Sequence, residues 1–336
     1  MPEQVRCDLA LEAQELYSET AAEESERESG IHVDEYSVHD LIKVTRVKIL
    51  NKNGERNLNK PKGDYITIEM PNRFYGEQRI YEEMCKVTAK ELKTLTDKFL
   101  SSDDDVILVV GLGNRNITAD ALGPKVISSL MITRHLKQYV PEEIDEGVRS
   151  ICGIVPGVLG LTGIETGEII KGIAEKVKPK LVIAIDALCS RKMERVNTTI
   201  QISDTGITPG EGVGNKRNAL NKDTLGAPVV AIGVPTVVDA ATIASDTLDM
   251  LVDAASRGRD IAVKDKPTQR ILNIIGNTSG GKYELIREVI SPKFGNFIVA
   301  PKDVDTIISD LSSVVANGIN IAVNEGITLS DIDRYR

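Results

Sequence analysis

"LVIAIDALCSR", residues 181–191, opens as an apolar run of strand-forming residues that Asp186 then interrupts. A run that is apolar at consecutive positions reads as a strand buried on both faces, inside a sheet with helices on either side. An ionised carboxylate deep in such a sheet would be costly, so Asp186 belongs at the strand's carboxyl end. In open α/β sheets that end faces the ligand crevice. Asp186 is therefore either a turn residue or a catalytic carboxylate that needs a partner.

On both sides of this run, strand-like and helix-like stretches alternate. "DVILVVGLGN" (105–114) leads into the helix-like "ALGPKVISSLMITRHL" (121–136), and "SICGIVPG" (150–157) into "IETGEIIKGIAEKV" (164–177). "TTIQISD" (198–204) and "PVVAIGVPT" (228–236) follow, the second feeding "VDAATIASDTLDMLVDAAS" (238–256). Alternation of this kind predicts an α/β fold with a doubly wound, largely parallel, twisted sheet and helices on both faces. Upstream, "KVTRVKIL" and "DYITIEM" flank a turn-rich segment and predict an added antiparallel hairpin at about 43–70. "RIYEEMCKVTAKELKTLTDKFL" (79–100) has the spacing of an amphipathic helix. The acidic residues 11–30 read as a mobile or surface helical arm, and the region from about 283 to 336 as helical.

Composition narrows the function classes. The 336 residues are 41% hydrophobic but only 4% aromatic, with no Trp, so a large core must be built mostly from Ile, Val, Leu and Ala. A formal net charge of −9 argues against direct nucleic-acid binding. The start has no apolar signal core, and no stretch reaches the roughly 18 apolar residues of a membrane span, which reads as a soluble, cytoplasmic protein with no membrane partner. Cys7, Cys85, Cys152 and Cys189 stand apart from one another and read as reduced thiols. His32, His39 and His135 form no HExxH pattern, so neither a zinc hydrolase nor a His-based triad is supported, and no cofactor or metal is expected.

Several motifs compete for the chemistry. "GLGNRN" (111–116) has Asn116 where a dinucleotide fingerprint wants Gly, and otherwise reads as a tight turn. "GNTSGGK" (276–282) fits a phosphate loop until Tyr283 replaces the Mg²⁺-binding Ser or Thr. No G-x-S-x-G elbow is present, and Cys189 has no nearby His, so it reads as a small buried hydrophobe. The carboxylates fit better. Asp120 ends a polar loop leaving one central strand and Asp186 ends another, so a sheet of this type brings both to one crevice. Two facing carboxylates titrate apart, letting one act as base while the other holds a proton, which suffices to activate water. The competing reading makes Asp120 the N-cap of the following helix.

"VVGLGNRNITADALGPKV", "GIVPGVLGLTGIET", "IAIDALCSRKMERVNTTIQISDTGITPGEGVGNKR" and "VVAIGVPTVVDAATIASDT" strongly resemble the germination proteases of spore-forming bacteria, and "VRCDLALEA" (5–13) resembles that family's processing site. The resemblance implies a cytoplasmic endopeptidase of the forespore and spore core. It would be made as a zymogen and would cleave small acid-soluble spore proteins when germination begins. The family's two essential aspartates map onto Asp120 in "ITADALGP" and Asp186 in "AIDALCSR". The resemblance also implies a homotetramer, a pro-segment of residues 1–8 cut between Asp8 and Leu9, and a peptidase domain spanning 9–336. Ala119 stands where many members have Pro, and Cys7 where Thr is usual. The core is also similar to the hydrogenase-maturation peptidases, whose corresponding acidic positions touch nickel, so a metal-assisted peptidase is the first alternative. A non-catalytic nucleotide-binding module is the second.

Overall fold

The computed structural model describes residues 8–20, 26–70, 77–210, 218–256, 286, 288–289 and 297–335. Strand β4, Val106–Gly111, is one strand in from the sheet edge, and its side chains divide between two cores. Ile107 and Val109 join one cluster, packed by the helices Gln78–Thr96, Leu122–Ser128 and Val304–Val323. Leu108 and Val110 join another, on the opposite face, with Ile170 and Ala174 of the helix Thr166–Val177. Helices on both faces are what an uninterrupted apolar strand requires, because it has no face to offer water.

The remaining strands are β1 (Ile31–Val38), β2 (Ile42–Ile49), β3 (Gly63–Glu69), β5 (Ser150–Ile154), β6 (Leu181–Ser190), β7 (Thr199–Ser203), β8 (Val229–Asp239) and β9 (Ile298–Val299). The order across the sheet is β1-β2-β3-β7-β8-β6-β4-β5, with β9 pairing β8 beside this path. Only β4–β5, β4–β6 and β6–β8 are parallel; the other pairings among the described residues are antiparallel. The sheet is thus mixed α/β, and the expectation of a largely parallel sheet fits only its β5-β4-β6-β8 part. The physical reason is the hairpin: β2 and β3 pair as expected, but β3 also pairs with β7, so the hairpin extends the main sheet.

Two stretches differ locally from their expected form. The segment between β2 and β3 contains a helix, Lys52–Leu58, started by Asn51, whose side chain accepts from the N–H groups of Asn53 and Gly54. The residues 121–136 do not form one helix. Leu122–Ser128 stops, a short turn and loop follow, and a second helix begins at Arg134. Asn320 accepts from Met131 N at 3.0 Å and Ile151 O accepts from Thr133 N at 3.1 Å, which pins the break between helix and sheet.

Val304–Val323 is long and apolar enough to cross a bilayer, yet two-thirds of it is buried in the core. Its Asn317 donates to Tyr81 Oη at 2.7 Å, a buried polar group satisfied within the protein. The expected C-terminal helical region thus contains this helix, while residues 290–296 and most of 283–289 lie outside the described residues. The "GNTSGGK" turn lies outside them too.

Candidate active site

Strand β4 ends at Gly111, paired with Ile185, while β6 continues to Ser190. Asp186 is therefore the first β6 residue past its β4 partner, facing Gly233 of β8 instead. It is 5% exposed, and its Oδ1 accepts from Ala187 N at 3.0 Å.

The chain leaving β4 bends at once. Leu112 N donates to Ile185 O at 2.8 Å, and Gly113 then adopts φ +108°, where a Cβ would come within 2.1 Å of Asp120 O. Only glycine fits. The glycine pattern "GLG" therefore serves a turn that folds Asp120 back against the strand end. Asn114 N donates to Asp120 Oδ2 at 2.8 Å and to Asp120 O at 3.0 Å. Asp120 closes the short 3₁₀ turn Thr118–Asp120, and the next helix begins from Ala121 with no side-chain cap. The N-cap reading of Asp120 is thereby excluded.

Two hydroxyls hold this turn from outside. Thr236 Oγ1 on β8 donates to Ala119 O at 2.6 Å, and Thr118 Oγ1 donates to Asp305 Oδ1 at 2.7 Å. Thr236 sits in the apolar run "AIGVPT", where no pattern in the chain singled it out. Thr236→Val keeps the shape and removes the donor. It is expected to lower peptide-cleaving turnover by about 10- to 100-fold, since displacements near 1 Å cost that much. Unchanged turnover in a variant of unchanged melting temperature would remove Thr236 from the site.

Asp120 and Asp186 line one cavity of about 390 Å³, together with Gly157, Thr166, Leu188 and Thr236. The arrangement joins two acid–base groups to partly apolar walls, conditions under which one carboxyl can stay protonated beside an ionised neighbour. Cys189 is not poised to compete, because burial, then Asp8 and other carboxylates, push its thiol up to about 12. Among the described residues no three His, Cys, Asp or Glu side chains converge as a metal-binding group.

A second, smaller cavity of about 150 Å³ adjoins the first, sharing Asp186, Ala187 and Leu188 as a common wall. Asp8 lies in it. Its Oδ2 accepts from Cys189 N at 3.0 Å, and Leu9 and Ala10 beyond it are fully buried. The following helix, Ala10–Thr20, packs Ala10 and Ala13 against Val47, Ile49 and Tyr65 of β2 and β3. Glu12, only 1% exposed, accepts from Ser190 Oγ and from the N–H groups of Arg191 and Lys192, all at 3.0–3.1 Å. Arg195, equally buried, pairs with Glu12, Glu15 and Glu69. For residues 10–17 the expectation of a mobile or surface arm is corrected here, since Glu12 and Glu15, two of the acidic residues that suggested it, anchor the helix; residues 21–25 of that stretch lie outside the described residues.

The anchoring is pH-sensitive. Burial alone would raise the Glu15 carboxyl, but hydrogen bonds from Arg195 and Lys192 outweigh it and hold the group below its ordinary 4.5. A carboxyl lowered in the docked arm stabilises docking above its free value, and that contribution is lost as pH falls through the lowered one. Amide exchange of residues 9–17, measured relative to β4, should therefore rise as pH drops below about 4.5. A ratio independent of pH would contradict this.

Asp120, in the turn that follows β4, and Asp186, inside β6 where that strand outruns β4 and not at its carboxyl end as expected, line one cavity beside a seated stretch of peptide, an arrangement chemically fit for acid–base hydrolysis. The family model described as germination protease matches residues 10–280 and 259–336. A germination protease of Clostridium tetani is 52% identical over 332 residues, covering 98% of this chain and 99% of that one. Germination proteases of Caldanaerobacter subterraneus, 47% identical over 330 residues with 98% and 97% covered, and of Bacillus licheniformis, 43% over 356 with 98% and 96%, align as fully. The chain belongs to the germination protease family.

Proposed function

We propose that the protein is an endopeptidase that begins the degradation of small acid-soluble spore proteins at germination, made as a zymogen that removes residues 1–8 by cutting itself between Asp8 and Leu9. Of Asp120 and Asp186, the ionised one takes a proton from the attacking water, and the protonated one donates its proton to the leaving nitrogen as the C–N bond breaks. The observation that carries this reading is the meeting of both carboxylates in one cavity, which shares Asp186, Ala187 and Leu188 as a wall with the smaller cavity that holds Asp8. Family membership supports the substrate class. Work in the cytoplasm of the forespore and spore core, as a homotetramer, belongs to the same proposal, and sedimentation of the purified protein tests the assembly.

The deciding experiment incubates the full-length protein at mildly acidic pH and reads the new N-terminus by mass spectrometry. A chain beginning at Leu9, absent in Asp186→Asn, supports the proposal. A cut elsewhere, or one that persists in that variant, overturns it. Dialysis against a strong chelator should leave cleavage unchanged; loss restored by one particular metal would move the protein to the metal-assisted alternative.

A further inference from the structure

The carbonyl of Asp8 is held by two donors: Lys60 Nζ at 3.0 Å and Gln201 Nε2 at 3.2 Å. Gln201 does more than donate. Its Oε1 accepts from Ala10 N at 2.6 Å, so one amide side chain grips the backbone on both sides of Leu9. Lys60 comes from the loop between the helix Lys52–Leu58 and β3, and Gln201 from β7. Gln201, Gly233 and Asp186 stand in register on β7, β8 and β6. Neighbouring strands lie roughly 5 Å apart, so the grip on the peptide and the carboxylate are separated by about two strand spacings. Asp186 and Gln201 both line the cavity that holds Asp8.

We propose that Lys60 and Gln201 are further catalytic residues, the pair that takes up the negative charge on the carbonyl oxygen of the bond being cut. The inference rests on the reading that this bond is Asp8–Leu9. Water oxygen bonds to the Asp8 carbonyl carbon, its proton goes to the ionised carboxylate, and the carbonyl electron pair moves onto oxygen between the two donors. When the C–N bond breaks, that pair returns, and the Leu9 nitrogen leaves with a proton from the carboxyl group. An ammonium and an amide N–H already aimed at the oxygen gain strength as its charge develops, which accelerates the step in a way that tight docking alone does not. Substrates cut in trans would place their scissile carbonyl at the same two donors.

The test compares Lys60→Met, Lys60→Arg and Gln201→Glu with the unaltered protein and Asp186→Asn. Gln201→Glu keeps an acceptor for Ala10 N and loses the donor to Asp8 O. Two quantities are read: the first-order rate at which the full chain cuts itself, and kcat and KM of processed enzyme on a synthetic peptide of residues 2–16. Removing one such donor costs about 10²- to 10³-fold in kcat. Lys60→Met and Gln201→Glu should show that loss in both assays with KM changed less than about threefold, and Lys60→Arg should recover part of it. Lys60 is half-exposed in a loop, so its variants carry the test even if Gln201→Glu melts early. Normal kcat, or losses confined to KM, would overturn the assignment while leaving Asp8–Leu9 cleavage by the aspartates intact. A cut elsewhere in the unaltered protein would overturn both.

Discussion

Asp186→Asn and Asp120→Asn are each expected to abolish self-cleavage and substrate cleavage in a protein that still folds. Asn matches Asp in shape, and its Oδ1 can still accept from Ala187 N at position 186 or from Asn114 N at position 120. What it cannot do is take or hold the proton. Loss of general acid–base chemistry costs about 10²- to 10⁴-fold at one group, and a pair that acts as a unit fails as a unit. The double variant should therefore be no worse than either single one. Stability should not follow at Asp186: Asn keeps the volume and the accepted hydrogen bond at a site only 5% exposed, so the melting temperature should hold. Turnover within about tenfold of normal in either variant would dissolve the catalytic pair.

The second large effect is expected at Arg195. Its guanidinium is the shared partner of Glu12, Glu15 and Glu69. Arg195→Met leaves Glu12 buried at 1% exposure without its counter-charge, and breaking such a pair costs about 3–5 kcal/mol. The cost is expected to appear mostly as release of the helix Ala10–Thr20 from the sheet, because the lost contacts are those that join it to residues 190–195 and β3. Three kcal/mol corresponds to roughly a 100-fold fall in the docked-to-released ratio. Self-cleavage should slow and exchange of residues 9–17 should rise, with a melting shift of only a few degrees. Glu12→Gln combined with Arg195→Met should recover part of the docking, because the stranded charge is gone. A single variant that cuts itself at the normal rate, with an unchanged arm, would refute the anchoring role.

Strands buried on both faces were legible because their chemistry admits no other place: "VILVV" and "LVIAI" had to lie inside the sheet, and the carboxylate ending the second run marked a crevice although β6 itself continues to Ser190. β1, "IHVDEYSV", was invisible because it lies at the sheet's edge with most of its side chains in water, so it never needed an apolar pattern. The antiparallel hairpin was legible, but its joining to the main sheet was not, since β3 and β7 read as strands while their pairing is set by the distant fold. Of the site, the two aspartates could be read from position, while Asn114 contributes only a backbone N–H and Thr236 a hydroxyl within an apolar run. Lys60 and Gln201 carried no signal. They meet Asp8 across 52 and 193 residues of sequence, and no local pattern encodes that.

The seat of residues 8–12 has a consequence in time. Ala10 meets Gln201 across 191 positions, and Glu12 rests on the Ser190 hydroxyl and the N–H groups of Arg191 and Lys192. A growing chain that has not yet reached β7 has nowhere to put its own N-terminus. Contacts of such separation also form late in folding, because the loop must close before any of them rewards it. The bond after Asp8 can therefore reach the end of β6 only once synthesis has passed the middle of the chain and the sheet has assembled. Under the proposed self-cleavage, truncated or misfolded chains would keep their first residues, and correct assembly would be the earliest checkpoint on proteolysis.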